Sequence, residues 1–229
     1  MGVNAVIFDL DGTIARFNLD YRALRGEVRG YLLRVGVPAS VLSVKESVFE
    51  MLKKTEIFVK NSGKSAEAFE EVRNEALGIA ERYELEAARD TSLLPGAYDA
   101  LSALKRMDLK IGLFTLSGGK SANYILQRFK IADFFGVMVP RNKVSYVKPN
   151  PEHLETALKV LGVAPEETVV VGDSNVDMES AKELKAVAVG LSTGNSTIEQ
   201  LTRHGANYIL TSIIDLPVLI EKINKGQAE

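Results

Sequence analysis

The sequence lacks several features, and each absence excludes a class of site or partner. It contains no cysteine, which excludes disulfides, thiolate zinc sites and cysteine nucleophiles. It has no apolar run near the ~18 residues that a membrane-spanning helix requires, so we expect no membrane partner. It has no excess of positive charge, because 28 Lys and Arg residues face 30 Asp and Glu residues among 229 residues. We therefore expect no nucleic-acid partner.

The beginning of the chain also lacks a targeting pattern. No basic segment precedes its first apolar stretch, and Asp9 and Asp11 interrupt that stretch. The apolar content of 46% is typical of a globular protein and argues against disorder. We expect a cytoplasmic protein.

Short β-branched runs alternate with helical patterns after about residue 94. The predicted strands lie at residues 3–8, 110–115, 168–171, 186–189 and 207–210. Predicted helices follow them, at residues 117–130, 151–161, 175–184, 196–204 and 216–224. This alternation is typical of βαβ units, so it predicts an α/β fold with a Rossmann-like, doubly wound parallel sheet.

The segment after the first predicted strand has a different hydrophobic pattern. It contains no convincing strand, and its apolar residues recur at helical spacing, as in Leu24, Val28 and Leu32. Gly36 and Gly63 interrupt the helical patterns. We therefore expect two domains, an α/β core formed by residues 1–15 plus 94–229 and an inserted all-α cap formed by residues 16–93.

Four aspartates follow two of the predicted strands. Asp9 and Asp11 come directly after the first strand, where residues i and i+2 project to the same side. Asp173 and Asp177 follow the strand at 168–171. Because ligands of doubly wound folds bind at the carboxyl ends of the strands, these carboxylates are expected to share one site. Such a cluster favours Mg²⁺, which prefers carboxylates and water as ligands.

Two further positions could bind a phosphate group. Thr115 ends a predicted strand and is followed by Leu116 and small residues, whose backbone N–H groups can approach an anion. Lys148 precedes a proline, which favours an extended loop directly before the helix at 151–161. The structural alternatives are a helix cap at Thr115 and a solvated surface charge at Lys148.

One motif suggests a different hydrolase. Residues 190–194 fit the G-x-S-x-G pattern of a serine nucleophile elbow after a predicted strand. The acid and histidine that this chemistry needs would be Glu199 and His204, both within one short helical segment. Loop chemistry between a strand and a helix explains the motif better.

Together, the motifs resemble those of the haloacid dehalogenase superfamily. The matching segments are, in order, DLDGT at 9–13, the strand ending in Thr115, Lys148-Pro149 and GDSNVD at 172–177. The long helical insert is similar to that of the phosphoglycolate phosphatase and β-phosphoglucomutase branch. Leu116 departs from this branch, which often has asparagine after the threonine.

The resemblance implies a magnesium-dependent phosphatase that acts through an aspartyl-phosphate. Asp9 would be the nucleophile and Asp11 the general acid and base. Mg²⁺ would be held by Asp9, Asp11 and Asp173, with Asp177 in support. Thr115, Leu116 and Lys148 would bind the phosphoryl group. The substrate would be a small phosphorylated metabolite, for example one similar to phosphoglycolate, and the protein a monomer or a homodimer.

Two alternatives remain within the same fold. A phosphomutase would use the same core residues, whereas a non-catalytic binding or regulatory module would have no need of them. Substrate choice is expected to depend on the cap and on the residues that lead into it. There, Arg16, Arg22 and Arg25 are candidates for contact with an anionic part of the substrate, because Arg suits carboxylate and phosphate geometry. The competing interpretation is a solvated helix face.

Overall fold

The computed structural model describes residues 2–16, 18–194 and 196–227. The chain divides into two compact units, one formed by Met1–Phe17 with Asp90–Glu229 and the other by Asn18–Arg89. Residues 90–94 lie in the first unit, where they pair with the segment that follows the first strand. Arg16 N–H donates to the carbonyl of Ser92 at 2.8 Å, and Leu94 N–H donates to the carbonyl of Ile14 at 2.8 Å.

The first unit contains a sheet that is parallel throughout. The strands are β1 (Ala5–Phe8), β2 (Lys110–Thr115), β3 (Val137–Pro140), β4 (Thr168–Gly172), β5 (Val187–Leu191) and β6 (Tyr208–Leu210). Their order in the sheet, among the described residues, is β3-β2-β1-β4-β5-β6.

Helices surround this sheet and also form the second unit. The helices are α1 (Tyr21–Arg34), α2 (Val48–Asn61), α3 (Ala66–Asp90), α4 (Ala97–Arg106), α5 (Gly119–Arg128), α6 (Pro151–Leu161), α7 (Asn175–Glu183), α8 (Ile198–Arg203) and α9 (Leu216–Asn224). Helices lie on both faces of the sheet, which confirms the predicted Rossmann-like α/β fold. No helix among the described residues combines the length and the apolar character needed to span a bilayer.

The centre of the sheet is buried on both faces. All four residues of β1 are fully buried, as a central parallel strand requires. On one face, Ile7, Phe114 and Val170 pack with apolar residues of α6 and α7, namely Leu154, Ala157, Leu158, Met178 and Ala181. This packing fixes the central strands, and with them the loops that leave their carboxyl ends.

One strand was absent from the sequence-based prediction. β3 has only four residues and lies at the edge of the sheet, where it pairs with β2 alone. Gly136 precedes it and Pro140 ends it, so its local pattern resembles a loop. The helix predicted from residue 117 begins instead at Gly119, because Gly118 is extended and serves as its N-cap.

The second unit is helical, and its helices have clear starting signals. Asp20 caps α1 by accepting a hydrogen bond from Ala23 N–H at 2.9 Å. Ser47 and Glu50 form a capping box at the start of α2. The core of this unit joins the three helices through Leu24, Val28, Leu32, Met51, Leu52, Ala76 and Ala80.

Candidate active site

Three central strand ends meet where the order of the sheet reverses. Phe8 of β1 lies opposite Leu113 of β2 on one side and Val171 of β4 on the other. Asp9 and Asp173 leave this edge directly after β1 and β4. A reversal point of this kind is where doubly wound folds bind their ligands.

Asp9 is held rigidly at this edge. Its backbone N–H continues the sheet pairing by donating to the carbonyl of Val171 at 2.9 Å. The residue is 6% exposed, and its Oδ1 accepts a hydrogen bond from the ammonium of Lys148 at 2.7 Å. The carboxylate is thus held by Lys148 and almost fully buried.

Lys148 is a buried cation rather than a surface charge. Its Nζ donates to Asp9 Oδ1 at 2.7 Å, to Asp177 Oδ1 at 2.6 Å and to the carbonyl of Phe114 at 3.3 Å. These bonds use the three protons of the ammonium group. Nζ also lies 4.2 Å from the centre of the Phe114 ring, a cation–π contact. Lys148 therefore links the ends of β1, β2 and α7.

His153 fixes the backbone at Lys148. Its Nδ1 accepts the N–H of Lys148 at 3.2 Å, so the proton of the neutral ring resides on Nε2, 2.9 Å from the carbonyl of Val139. Burial lowers the pKa of His153 to about 4, and the charge of Lys148 acts in the same direction. His153 is therefore a neutral positioning residue at physiological pH.

Asp173 sits in a tight backbone cradle. The Cα positions of Gly12 and Gly194 approach it so closely that an added Cβ would lie 2.5 Å and 1.7 Å, respectively, from Asp173 Oδ2. Gly12 also has a φ of 84°, a conformation that favours glycine. Thr193 closes the cradle by donating its hydroxyl to the carbonyl of Gly12 at 2.8 Å. The 190–194 motif thus supports an aspartate.

Asp177 positions Lys148 and the start of α7. One of its oxygens accepts the Lys148 ammonium at 2.6 Å. The other accepts the backbone N–H of Ser174 at 3.1 Å and also the hydroxyl of Ser174. Both oxygens are thereby engaged within the protein, which suits a supporting role.

The site contains more negative than positive charge. Burial raises the pKa of Asp9 well above its ordinary value; Lys148 opposes this rise, and Asp177 and Asp173 add to it. Burial acts to lower the pKa of Lys148, but the charges of Asp177 and Asp9 outweigh it and raise that pKa instead. Lys148 is therefore charged, and the remaining imbalance draws a further positive charge to the carboxylates.

A divalent cation fits this arrangement. Asp9, Asp173 and Asp177 are buried, and each offers an oxygen within 4.8 Å of the others. When all three carboxyls are ionised, one ammonium leaves two negative charges, and hard oxygen donors match the preferences of Mg²⁺. The donor set and the net charge therefore both suit a magnesium ion.

Asp11 faces a different partner. Its Oδ2 accepts a hydrogen bond from the hydroxyl of Ser117, in the loop between β2 and α5. Thr115 is fully buried, and its Oγ1 accepts the backbone N–H of Ser117 at 3.1 Å. The carbonyl of Leu116 accepts a hydrogen bond from Arg141 at 3.0 Å. The loop at 115–117 therefore contacts the Asp11 carboxylate, whereas the Asp9 carboxylate contacts the Lys148 ammonium.

The three predicted arginines are placed in different units. Arg16 is exposed in the first unit. Arg22 is exposed and Arg25 half-buried on α1 of the second unit, where the Arg25 guanidinium lies 5.2 Å from the centre of the Tyr21 ring. Their predicted contact with substrate stays a prediction.

The serine elbow does not assemble a catalytic triad. Nδ1 of His204 lies 2.6 Å from Glu179, and the N–H of Ser192 donates to the carbonyl of Leu210 at 3.0 Å. Glu199 forms a surface ion pair with Arg203 at 2.7 Å. The motif therefore belongs to the loop that supports Asp173.

Sequence reasoning missed several residues of this site, namely Ser117, Arg141, His153, Thr193 and Gly194. Each acts through a contact with a residue distant in sequence or through its backbone. The small residues after Thr115 and the glycine after β5 are visible in the sequence, but neither pattern indicates which residue it contacts.

This chain is similar to known proteins. The sequence model of the haloacid dehalogenase-like hydrolases matches residues 6–191. A phosphoglycolate phosphatase of Shigella boydii serotype 4 (strain Sb227) is 29% identical over 231 residues, which cover 93% of this chain and 91% of that protein. A pyrophosphatase PpaX of Bacillus cereus (strain AH820) is 26% identical over 229 residues, 99% of this chain and 100% of that protein.

A solved structure shows the same fold. The crystal structure of a β-phosphoglucomutase (pgmB) from Clostridium difficile superposes with a TM-score of 0.70 at 23% identity, over 99% of this chain and 100% of that one. The family match spans more than half of the chain and includes the aspartates after β1 and β4, Thr115 and Lys148. This chain belongs to the haloacid dehalogenase-like hydrolases.

Proposed function

We propose that this hydrolase is a magnesium-dependent phosphoric monoester hydrolase that acts through an aspartyl-phosphate at Asp9. The observation that carries the proposal is the buried cluster at the sheet reversal, where Asp9 lies 2.7 Å from the Lys148 ammonium beside Asp173 and Asp177. A fixed carboxylate beside a buried cation, in a cluster whose charge suits a magnesium ion, fits attack on a phosphoryl group, because phosphoryl transfer depends on positioning and charge neutralisation.

Two steps follow from this arrangement. An oxygen of Asp9 forms a bond to phosphorus while the bond to the ester oxygen breaks, and Asp11 gives a proton to the departing oxygen. Asp11 then takes a proton from water, whose oxygen attacks phosphorus and releases Asp9 and inorganic phosphate. Thr115 and the backbone at Leu116 bind oxygens of the phosphoryl group, and Lys148 binds another by giving up its long hydrogen bond of 3.3 Å to the carbonyl of Phe114.

Magnesium would be held by the side chains of Asp9 and Asp173 and by the backbone carbonyl of Asp11. When bound, it neutralises part of the charge shared by the carboxylates and the phosphoryl group. Asp177 supports the site by orienting Lys148, with which it pairs at 2.6 Å. Gly12 and Gly194 fix Asp173 by leaving room for its carboxylate.

The substrate in this proposal is a small phosphorylated metabolite. The relatives' names refer to phosphoglycolate and pyrophosphate, which supports a compact anionic substrate. Residues 16–93 would act as the cap that selects it. We further propose that Arg16, Arg22 or Arg25 contacts a carboxylate or a second phosphate of the substrate. A substrate similar to phosphoglycolate would meet this requirement.

Phosphate release tests the proposal. The protein is incubated with a panel of phosphate monoesters and with pyrophosphate, with Mg²⁺ and with a chelator, and inorganic phosphate is measured. We expect phosphate release with Mg²⁺ only. As a control, Asp133→Asn changes an exposed aspartate in the same unit as Asp9, and this variant should retain the release. No release from any substrate with Mg²⁺ would contradict the proposal and favour a non-catalytic module. Transfer between positions of a sugar phosphate without net release would favour a phosphomutase.

A further inference from the structure

The carboxylate of Asp11 has a specific partner outside the aspartate cluster. The hydroxyl of Ser117 donates a hydrogen bond to Asp11 Oδ2, across 106 positions of sequence. Ser117 is 4% exposed and Asp11 is half-buried, so this bond is partly shielded from water. A hydrogen bond to a carboxylate in such surroundings is among the stronger neutral-to-charged contacts.

Ser117 is itself fixed at both of its backbone groups. Its N–H donates to Oγ1 of Thr115 at 3.1 Å, and its carbonyl accepts the N–H of Arg141 at 3.3 Å. Because Thr115 and Arg141 are both buried, the Ser117 backbone cannot turn freely, and its side chain starts from a fixed point in the loop. The loop therefore places the Ser117 hydroxyl where it donates a hydrogen bond to Asp11.

Arg141 joins this loop to the end of β3. Its side chain is buried, with 3% of the residue exposed, and Nη1 donates to the carbonyl of Leu116 at 3.0 Å. The next residue, Asn142, accepts the N–H of Gly119 at 3.0 Å through Oδ1. Two consecutive residues after β3 thus hold the loop on both sides of Ser117.

The geometry matters for proton transfer. The carboxylate of Asp11 can rotate about its side-chain bonds, with staggered wells at χ1 and a broad range at χ2. The bond from Ser117 engages Oδ2 and restricts this rotation. A general acid is effective only when it lies within hydrogen-bond reach of the departing oxygen.

We propose that Ser117, held in place by Arg141, is a positioning residue that orients the Asp11 carboxylate for proton transfer to the leaving oxygen. This inference rests on the function proposed above. In the step concerned, the proton moves from the Asp11 carboxyl group to the ester oxygen, which also keeps the electron pair of the breaking bond to phosphorus.

The test compares two leaving groups. An alkyl phosphate needs a proton on its departing alkoxide, whereas p-nitrophenyl phosphate releases a stable phenolate without one. For Ser117→Ala, we expect kcat/KM to fall about 10- to 100-fold with the alkyl phosphate and less than about 3-fold with p-nitrophenyl phosphate. The value of kcat/KM is used because it reports the step that forms the aspartyl-phosphate.

A matched control is available in the same segment. Ser121 is equally buried, and its hydroxyl donates to the carbonyl of Gly118 at 2.9 Å, so Ser121→Ala removes a buried hydroxyl away from Asp11. We expect this control to show the same ratio between the two substrates as the wild type. Ser117→Thr retains the hydroxyl and should restore most of the ratio, and Arg141→Met should change it in the direction of Ser117→Ala. Thermal melting identifies variants that fail to fold.

The outcomes separate this inference from the function on which it rests. A wild-type protein that hydrolyses neither substrate contradicts the proposed function and this inference with it. An active wild type whose folded Ser117→Ala variant loses both activities equally contradicts the positioning role alone. The same is true if Ser121→Ala reproduces the leaving-group dependence.

Discussion

The burial of His153 makes a quantitative prediction about stability and pH. The side chain is fully buried, and its two ring nitrogens are committed to Lys148 N–H and to the carbonyl of Val139. Its pKa in the folded protein is lowered to about 4 by burial and by the charge of Lys148. The ordinary histidine pKa of about 6.5 applies to the unfolded chain.

The unfolded chain therefore binds a proton at His153 before the folded protein does. Above about pH 6.5 both states are neutral at this position, and the residue gives no pH dependence. As the pH falls from about 6.5 towards about 4, the unfolded state is progressively favoured. The difference of about 2.5 pKa units corresponds to about 3 kcal/mol at the lower limit, and to about 1.4 kcal/mol at pH 5.5.

Urea unfolding of wild type and His153→Gln measures this contribution. Glutamine fills much of the same space, keeps a donor and an acceptor, and does not titrate. Between pH 7.5 and 5.5, we expect the wild type to lose about 1.3 kcal/mol more unfolding free energy than the variant does. His204→Gln removes the other histidine and leaves the His153 contribution in place. Equal losses in wild type and His153→Gln would refute the burial argument.

Two further predictions concern the metal and the substrate. Gly194→Ala places a Cβ 1.7 Å from Asp173 Oδ2, so the Asp173 carboxylate must move. We expect the Mg²⁺ concentration that half-maximally raises the melting temperature to increase about 10-fold or more. An unchanged concentration would contradict the role of Gly194 in positioning Asp173. Replacing Arg16, Arg22 and Arg25 singly by alanine should, at one of the three, lower kcat/KM about 10-fold more for a carboxylated phosphoester than for a neutral one. Equal losses on both substrates would show that none of the three arginines binds the carboxylate of the substrate.

The strand ends explain why much of the site could be predicted. Asp9, Thr115 and Asp173 each follow a short apolar run, and parallel strands bring their carboxyl ends to one edge. Local patterns were sufficient for β2, α6 and α9, whose bounds match the predicted ones. The predicted domain limits at residues 16 and 94 rest on a change of pattern, and such a change has no sharp position along the chain.

The remaining features depend on contacts that no local pattern encodes. Ser117 meets Asp11 across 106 positions, and Nε2 of His153 bonds to the carbonyl of Val139 in β3, a strand too short to predict. The G-x-S-x-G motif suggested a nucleophile, but the structure gives it a backbone role, because Gly194 leaves space for Asp173. In each case the missing information is the identity of the partner.

The most direct test of the account is the site of covalent phosphorylation. The wild-type protein is mixed with a phosphomonoester that it hydrolyses and Mg²⁺, quenched in acid during turnover, digested and mapped by mass spectrometry. We predict a phosphoryl group on Asp9, and we predict that Asp9→Asn melts cooperatively, carries no such group and loses turnover by about 10³-fold or more. A phosphoryl group on another residue, or an Asp9→Asn variant with undiminished turnover, would contradict the nucleophile assignment.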